Sequence, residues 1–264
     1  MADVTKTLLP AALVRQRRFV ADDDICATLT YYPPGTWQAP HAHDFVQFSF
    51  VLAGEMLEMI GRRDFEVGGA AIGSKPAGCD HSDRFGSHGT LIFAVNLGPD
   101  QSRSLGLDTR AGWTPILDRM AVARLVRAAV ASPDKASRAE VLQDLVGLSG
   151  DREPIASAEP PSWLQRVREE IREGAEPARI TALATAAGVH RTRLSRLFRH
   201  HYRTPPSVYR RDCMAAKALS AALSSESRLT DIAYDVGFAD QSHLARTLKA
   251  NTGLPLSHVK ALLD

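Results

Sequence analysis

The chain has 264 residues, 44% of them hydrophobic and 23% charged, which allows two domains with separate cores and excludes a disordered protein. A net charge of +2 hides an asymmetry, because residues 160–264 carry 16 of the 32 Lys and Arg but only 10 of the 30 Asp and Glu; a nucleic-acid contact, if there is one, belongs to that part. Cys26, Cys79 and Cys213 are too few and too scattered for a disulfide framework and fit a reducing compartment.

The N-terminal segment MADVTKTLLPAALVRQRRFV has its apolar residues ahead of its arginines and no long apolar run. It is expected to be neither a secretory signal nor a membrane span, which places the protein in the cytoplasm. From residue 25 to 97 the sequence breaks into short runs of β-formers, with strands expected at 25–32, 45–52, 55–60, 65–67, 70–73 and 90–97. The connections are tight and rich in Gly and Pro, and no helical segment intervenes, so an antiparallel sandwich or barrel is expected.

One constellation stands out there. Gly35 is followed by His41, His43, Gln47 and Gly54, and further on by Pro76, Gly78 and His81. Placed on one strand, His41, His43 and Gln47 share a face, and a neighbouring element carrying His81 completes a pocket of three imidazoles and an amide. These residues resemble the two motifs of the cupin superfamily, with Gln47 where Glu is usual and Phe85 where Asn is usual. The resemblance implies a cupin-like barrel whose His41, His43, Gln47 and His81 bind either a divalent transition metal (Zn, Ni or Fe) or, with the metal lost, a small-molecule effector. Gln47 removes the negative charge from such a site and weakens it for metal. Three-histidine cupins include dioxygenases, so an enzymatic alternative exists.

Of the remaining residues, Trp37, Phe45, Phe48 and Phe50 alternate between faces and are read as core, with inward ones available to a cavity. Cys79 is read as a small buried thiol, and Asp83 and His88 as loop residues. The stretch 98–113 reads as irregular loop. Helical spacing follows over 116–131, with Leu117, Ala121, Leu125 and Ala128 on one face, and over 137–148, with Val141, Leu142, Leu145 and Val146. Such a hairpin must bury its stripe on the barrel or on a second copy, and a homodimer is expected. Residues 149–161, with several prolines, read as a linker.

Beyond it, Ser162 and Gln165 read as a capping box opening a helix to about residue 172. Two stretches then follow one plan. In ITALATAAGVHRTRLSRLFRHHY, Ala184 precedes Gly188 by four; in LTDIAYDVGFADQSHLARTLKANTG, Ala233 precedes Gly237 by four. Ala allows close helix packing and Gly the turn of a helix-turn-helix. Leu194 and Arg196 recur as Leu244 and Arg246, fifty residues on, with the second turn one residue longer. Thr204 as cap and Pro205 in the first turn suit a long helix to about residue 223 between the copies. Such a helix sets two readers about 34 Å apart, one turn of DNA.

Residues 162–264 closely resemble the DNA-binding domain of AraC/XylS-type transcriptional regulators, through Asp231-Ile232-Ala233, Val236-Gly237-Phe238, Asp240, Ser242-His243-Leu244, Arg246 and Lys249, with Leu194, Arg196, Phe198, Arg199 and Pro205 in the first half. Arg203 stands where that family has Gly, which predicts a strained bend. The resemblance implies that Arg191, Thr192, Ser195, Arg196 and Arg199 face DNA from the first copy and Gln241, Ser242, Arg246 and Lys249 from the second. Arg and Gln read bases there, whereas Arg199 and Lys249 hold phosphates.

The expected architecture is two-domain, β then all-α: a cupin-like effector-binding barrel over 1–97, a helical connector over 98–148, a linker over 149–161, and an AraC-type DNA-binding domain over 162–264. The expected function is a sequence-specific transcriptional regulator and not an enzyme, with double-stranded DNA, a small-molecule or metal effector and, for an activator, RNA polymerase as partners.

Overall fold

The computed structural model describes residues 14–21, 24–69, 71–107, 110–116, 118–131, 135–149, 159–174 and 179–264. The chain divides into two compact units, one of Met1–Pro154 with Leu248–Asp264 and one of Ile155–Thr247.

The first unit is a sandwich of two antiparallel sheets. Strands β1 (Arg15–Ala21), β2 (Ile25–Tyr32), β4 (Val46–Ala53), β7 (Ala71–Lys75), β9 (Thr90–Leu97) and β10 (Gly112–Pro115) form a six-stranded sheet in the order β1-β2-β9-β4-β7-β10. Strands β3 (Trp37–His41), β5 (Glu55–Ile60), β6 (Arg63–Gly68) and β8 (His81–Phe85) form a four-stranded sheet, β3-β8-β5-β6. The expected antiparallel sandwich is therefore present, with three of the six expected strands at their expected bounds. Four strands were not expected. β3 and β8 are short and carry His, Gln and Asp in place of an apolar alternation, and β1 carries three arginines in the sequence RQRRFVA.

The stretch 98–113 is not irregular loop. It holds a short helix α1 (Pro99–Ser104), and Trp113 lies in β10, paired with Gly73 of β7. Gly73 makes room for the indole, since a Cβ there would come within 2.7 Å of the Trp113 ring.

The register sorts the side chains. Lys75 of one sheet and Glu58 of the other meet inside the sandwich with Nζ 2.6 Å from Oε1, so both face inward. Gln47 and Asn96 are in register with Lys75 and Ser49 lies two residues from Gln47, so these polar groups share the inner face. Phe48, Phe50, Phe93 and Leu29 have the opposite parity and are fully buried on the outer side. Helix α2 (Arg119–Ala131) touches β1, and α10 (Leu256–Leu263), also of this unit, touches β1 and β2. Phe48, Phe50 and Phe93 therefore make the outer core, and the space between the sheets mixes these polar groups with Val51, Ile92, Met56, Phe65 and Trp113.

Helix α2 packs on α3 (Lys135–Leu148). The expected stripe is buried at Ala121, Leu125, Ala128, Val141 and Leu145, while Val146 is exposed; Leu117 and Pro133-Asp134 lie outside the described residues. Most of the stripe is thus covered within one chain. The stretch 150–158 of the expected linker also lies outside the described residues.

The second unit is helical: α4 (Ser162–Glu173), α5 (Ile180–Ala186), α6 (Arg191–Tyr202), α7 (Pro206–Ser224), α8 (Leu229–Asp235) and the first turns of α9 (Gln241–Thr252). Leu164, Val167, Ile171, Leu183, Leu194, Phe198 and Tyr209 form the core of its first half. Two expected caps are absent. Pro161 is the N-cap of α4 without a side-chain bond, and Gln165 donates to the Pro160 carbonyl. Pro205, not Thr204, is the N-cap of α7.

Candidate functional site

The chamber of the first unit ends in an imidazole cluster. His41 closes β3 and is the cross-strand partner of His81, which opens β8. His43 is not on that strand: the chain leaves β3 after His41 and β4 begins at Val46, so strand parity does not bring the pair together. The loop does so instead, held by a hydrogen bond from Gly78 N–H to the His43 carbonyl (2.7 Å) and by the stacking of His43 on Phe45, with centroids 4.7 Å apart. The ligand nitrogens of His41, His43 and His81 lie within 4.8 Å of one another.

The tautomers are fixed at two positions. His41 Nδ1–H donates to the Ala39 carbonyl (2.8 Å) and His81 Nδ1–H to the Cys79 carbonyl (3.0 Å), leaving each Nε2 with its lone pair free, as metal-binding histidines require. Burial and the neighbouring His81, His41 and Lys75 push His43 down to about 3. Burial and Lys75 push His81 down to about 4. Both shifts favour neutral imidazoles at His43 and His81, and the cluster of three ring nitrogens can hold a divalent transition metal. Gln47 is tied to its own sheet: its Nε2 donates to Asn96 Oδ1 (3.2 Å) and its Oε1 accepts from Ser49 Oγ (3.3 Å).

One row deeper lie charges that the sequence did not mark as part of a site. Gln38, Asp83, Glu58 and Phe65 are aligned across the four-stranded sheet, and all four are buried. Glu58 accepts from Lys75 and from Trp113 Nε1. Burial alone would raise its carboxyl, but Lys75 outweighs that and holds it below the usual range. Asp83 is a strand residue, not a loop residue, because β8 continues from His81 to Phe85. Burial and the Glu58 charge push its carboxyl well up. Its Oδ2 lies 4.0 Å from His81 Nε2, yet with His81 driven neutral and Asp83 driven up the contact is not an ion pair. The signal for Asp83 was its spacing: two residues after His81, it must share the inward face. Phe85 stacks on Tyr32 (3.8 Å) and fills its place with an aromatic pair. Cys79 is half-buried and lies outside both ligand groups.

In the second unit the fifty-residue repeat is structural. Helices α6 and α9 begin at residues 191 and 241 and end at 202 and 252. Each has a side-chain N-cap at the equivalent position: His190 accepts from Thr192 N–H and Asp240 from His243 N–H. The turns close alike, with Val189 N–H on the Ala184 carbonyl and Phe238 N–H on the Ala233 carbonyl, around Gly188 and Gly237 at φ 65 and 88. Leu194 and Leu244 are both fully buried. The bend after α6 has Arg203 at φ 57, among the described residues the one non-glycine with positive φ; Gly253 holds the matching position after α9 at φ 76.

Arg191, Thr192, Arg196 and Arg199 are exposed on α6, with Ser195 half-buried, and Gln241, Ser242, Arg246 and Lys249 are exposed on α9. Arg193 is exposed beside them and was not among the expected contacts. Helix α7, 19 residues long, spans about 28 Å at the rise of an α-helix, somewhat less than a turn of duplex.

Residues 183–261 match a family model described as "Helix-turn-helix domain". No curated protein matches the chain. Similar solved structures include an RmlC-like cupin from Shewanella frigidimarina, 16% identical over 32% of this chain and 76% of that one with a TM-score of 0.31, and KdgF from a Halomonas species, 14% identical over 32% and 78% with a TM-score of 0.30. ToxT from Vibrio cholerae is 10% identical over 91% of this chain and 99% of its own, with a TM-score of 0.38. The chain carries a helix-turn-helix domain behind an N-terminal antiparallel β-sandwich. Among the described residues no helix is long and apolar enough to cross a membrane.

Proposed function

We propose that the protein is a transcriptional regulator of the AraC/XylS type that reads DNA with two helix-turn-helix units. The observation that carries this reading is the fifty-residue repeat, in which α6 and α9 share their bounds, their N-cap position and a buried leucine. Their exposed sides carry Arg191, Arg196, Arg199, Arg246 and Lys249. Arg246 and Gln241 read bases from the second helix, and Arg199 and Lys249 hold phosphates. Alanine at Arg246 or Gln241 should cost about 1–3 kcal/mol of binding to a selected duplex and relax its sequence preference. Unchanged affinity and preference in both variants would contradict the assignment.

The sandwich is the effector domain. The Nδ1–H bonds of His41 and His81 to carbonyls point each Nε2 outward and favour a divalent transition metal on the three imidazoles. When bound, such an ion supplies a Lewis-acidic centre with positions open to a further ligand. Binding there acts by favouring one arrangement of the DNA-reading units over another. Elemental analysis of purified protein against a His41→Ala/His43→Ala variant tests the metal; equal, substoichiometric content in both removes it. The dioxygenase alternative is tested by oxygen uptake across candidate substrates. Because the α2–α3 stripe is largely buried within one chain, a homodimer would need another surface.

A further inference from the structure

We propose that Asp83, and not Gln47, supplies the carboxylate of the imidazole site, so that a divalent ion is held by His41, His43 and His81 together with Asp83. This rests on the reading of the imidazole cluster as a metal centre.

Position comes first. Asp83 follows His81 by two residues on β8, and both face the chamber in successive rows. Its Oδ2 is 4.0 Å from His81 Nε2. Two donors bound to one ion at bond lengths of about 2.0–2.2 Å lie roughly 3–4 Å apart, so His81 and Asp83 are spaced for a shared ion; Asp83 groups with His81 and Glu58 rather than with His41 and His43, and its carboxylate must swing towards the imidazoles to join them. Gln47, by contrast, has its amide committed on both sides, to Asn96 and to Ser49.

Hydrogen bonding points the same way. Asp83 is 5% exposed, and its Oδ1 has no hydrogen-bond partner. An orphaned buried acceptor is costly, and a cation bound at that oxygen relieves the cost. Lys75 does not, because its ammonium is bonded to Glu58.

Charge gives the third reason. A dication on three neutral imidazoles and a neutral amide would be buried without compensation, which is strongly unfavourable. Among the described residues the buried carboxylates are Glu58 and Asp83. Glu58 is already paired with Lys75 and bonded to Trp113, which leaves the Asp83 carboxyl as the acidic group beside the imidazoles. The sandwich thus replaces the missing acidic residue at position 47 with one from a different strand.

Cobalt(II) titration of the full chain tests this, read by calorimetry and by the visible absorption bands of the bound ion. The wild type should take up one ion per chain, and His41→Ala should abolish uptake. Asp83→Asn should weaken binding at least tenfold and shift the bands, Asp83→Glu should restore part of the affinity, and Gln47→Ala should stay within twofold of the wild type. If thermal unfolding shows that Asp83→Asn does not fold, Asp83→Ser takes its place with the same thresholds. Less than a tenfold loss with unchanged bands overturns the proposal, as does a larger loss in Gln47→Ala. Wild-type affinity in His41→Ala overturns it too, by placing the ion among Glu58, His81 and Asp83. No cobalt uptake by the wild type overturns the metal reading itself.

Discussion

Lys75 Nζ lies 2.6 Å from Glu58 Oε1 inside the sandwich, with the side chains 4% and 1% exposed, and joins the two sheets across the chamber. Such a pair contributes little against a well-packed apolar alternative, but breaking it leaves a buried charge without a partner. Lys75→Met should therefore destabilise the first unit by about 3–5 kcal/mol in urea unfolding. The double variant Lys75→Met/Glu58→Leu should recover a large part of that loss, since the remaining fault is the unpaired Trp113 N–H. A double variant no more stable than the single one would show that Glu58 is not held by charge.

The bend after α6 tests the repeat directly. Arg203 adopts the left-handed conformation at φ 57 that Gly253 adopts at the equivalent place, and for a residue with a Cβ this costs roughly 1–2 kcal/mol. Arg203→Gly should stabilise the second unit by about 1 kcal/mol. Arg203→Ala should not, because the Cβ remains. Equal effects from both would assign the gain to removal of charge.

The imidazole cluster sets an acid limit in metal-free protein. An unfolded histidine titrates near 6.5, whereas His43 and His81 are pushed down to about 3 and about 4 in the fold. Below 6.5 the unfolded chain therefore gains protons that the folded chain cannot accept. Stability should be level above pH 6.5 and fall as pH drops from 6.5 towards 4. Unfolding in chelator across that range, compared with His43→Gln, checks the sign; the variant should lose less.

The two readers differ in charge. Helix α6 carries exposed Arg191, Arg193, Arg196 and Arg199, and α9 carries Arg246 and Lys249. Each phosphate contact contributes about 0.9 to the slope of log affinity against log salt. Arg199→Ala should lower that slope by about one and weaken all sequences alike, whereas Arg246→Ala should relax sequence preference. An unchanged slope in Arg199→Ala would remove its phosphate contact.

How much was legible varied with the kind of signal. The helix-turn-helix repeat was readable because it depends on local chemistry: Ala, Gly and buried Leu at fixed offsets, each forced by close helix packing. Even the strained bend at Arg203 followed from one misplaced residue type. The chamber was less legible. His41, His43 and His81 are indeed brought together, but a loop tied to Gly78 places His43 where strand parity had been expected to do so. Asp83 was read as a loop residue, and Glu58 and Lys75 went unread, because strand register and sheet facing are long-range properties and β8 has no apolar alternation to reveal it. Trp113 was missed as a strand residue for the same reason, its partner Gly73 lying forty residues away.

The most direct test of the central claim is selection of binding sites from a random duplex library by the full chain, followed by footprinting of the winners. Two matched readers joined by α7 predict an enriched site with two protected patches about one helical turn apart on one face of the duplex. Arg246→Ala should lose the preference in one patch and retain the other. No enrichment over random duplex, or a single short patch unaffected by Arg246→Ala, would contradict the account.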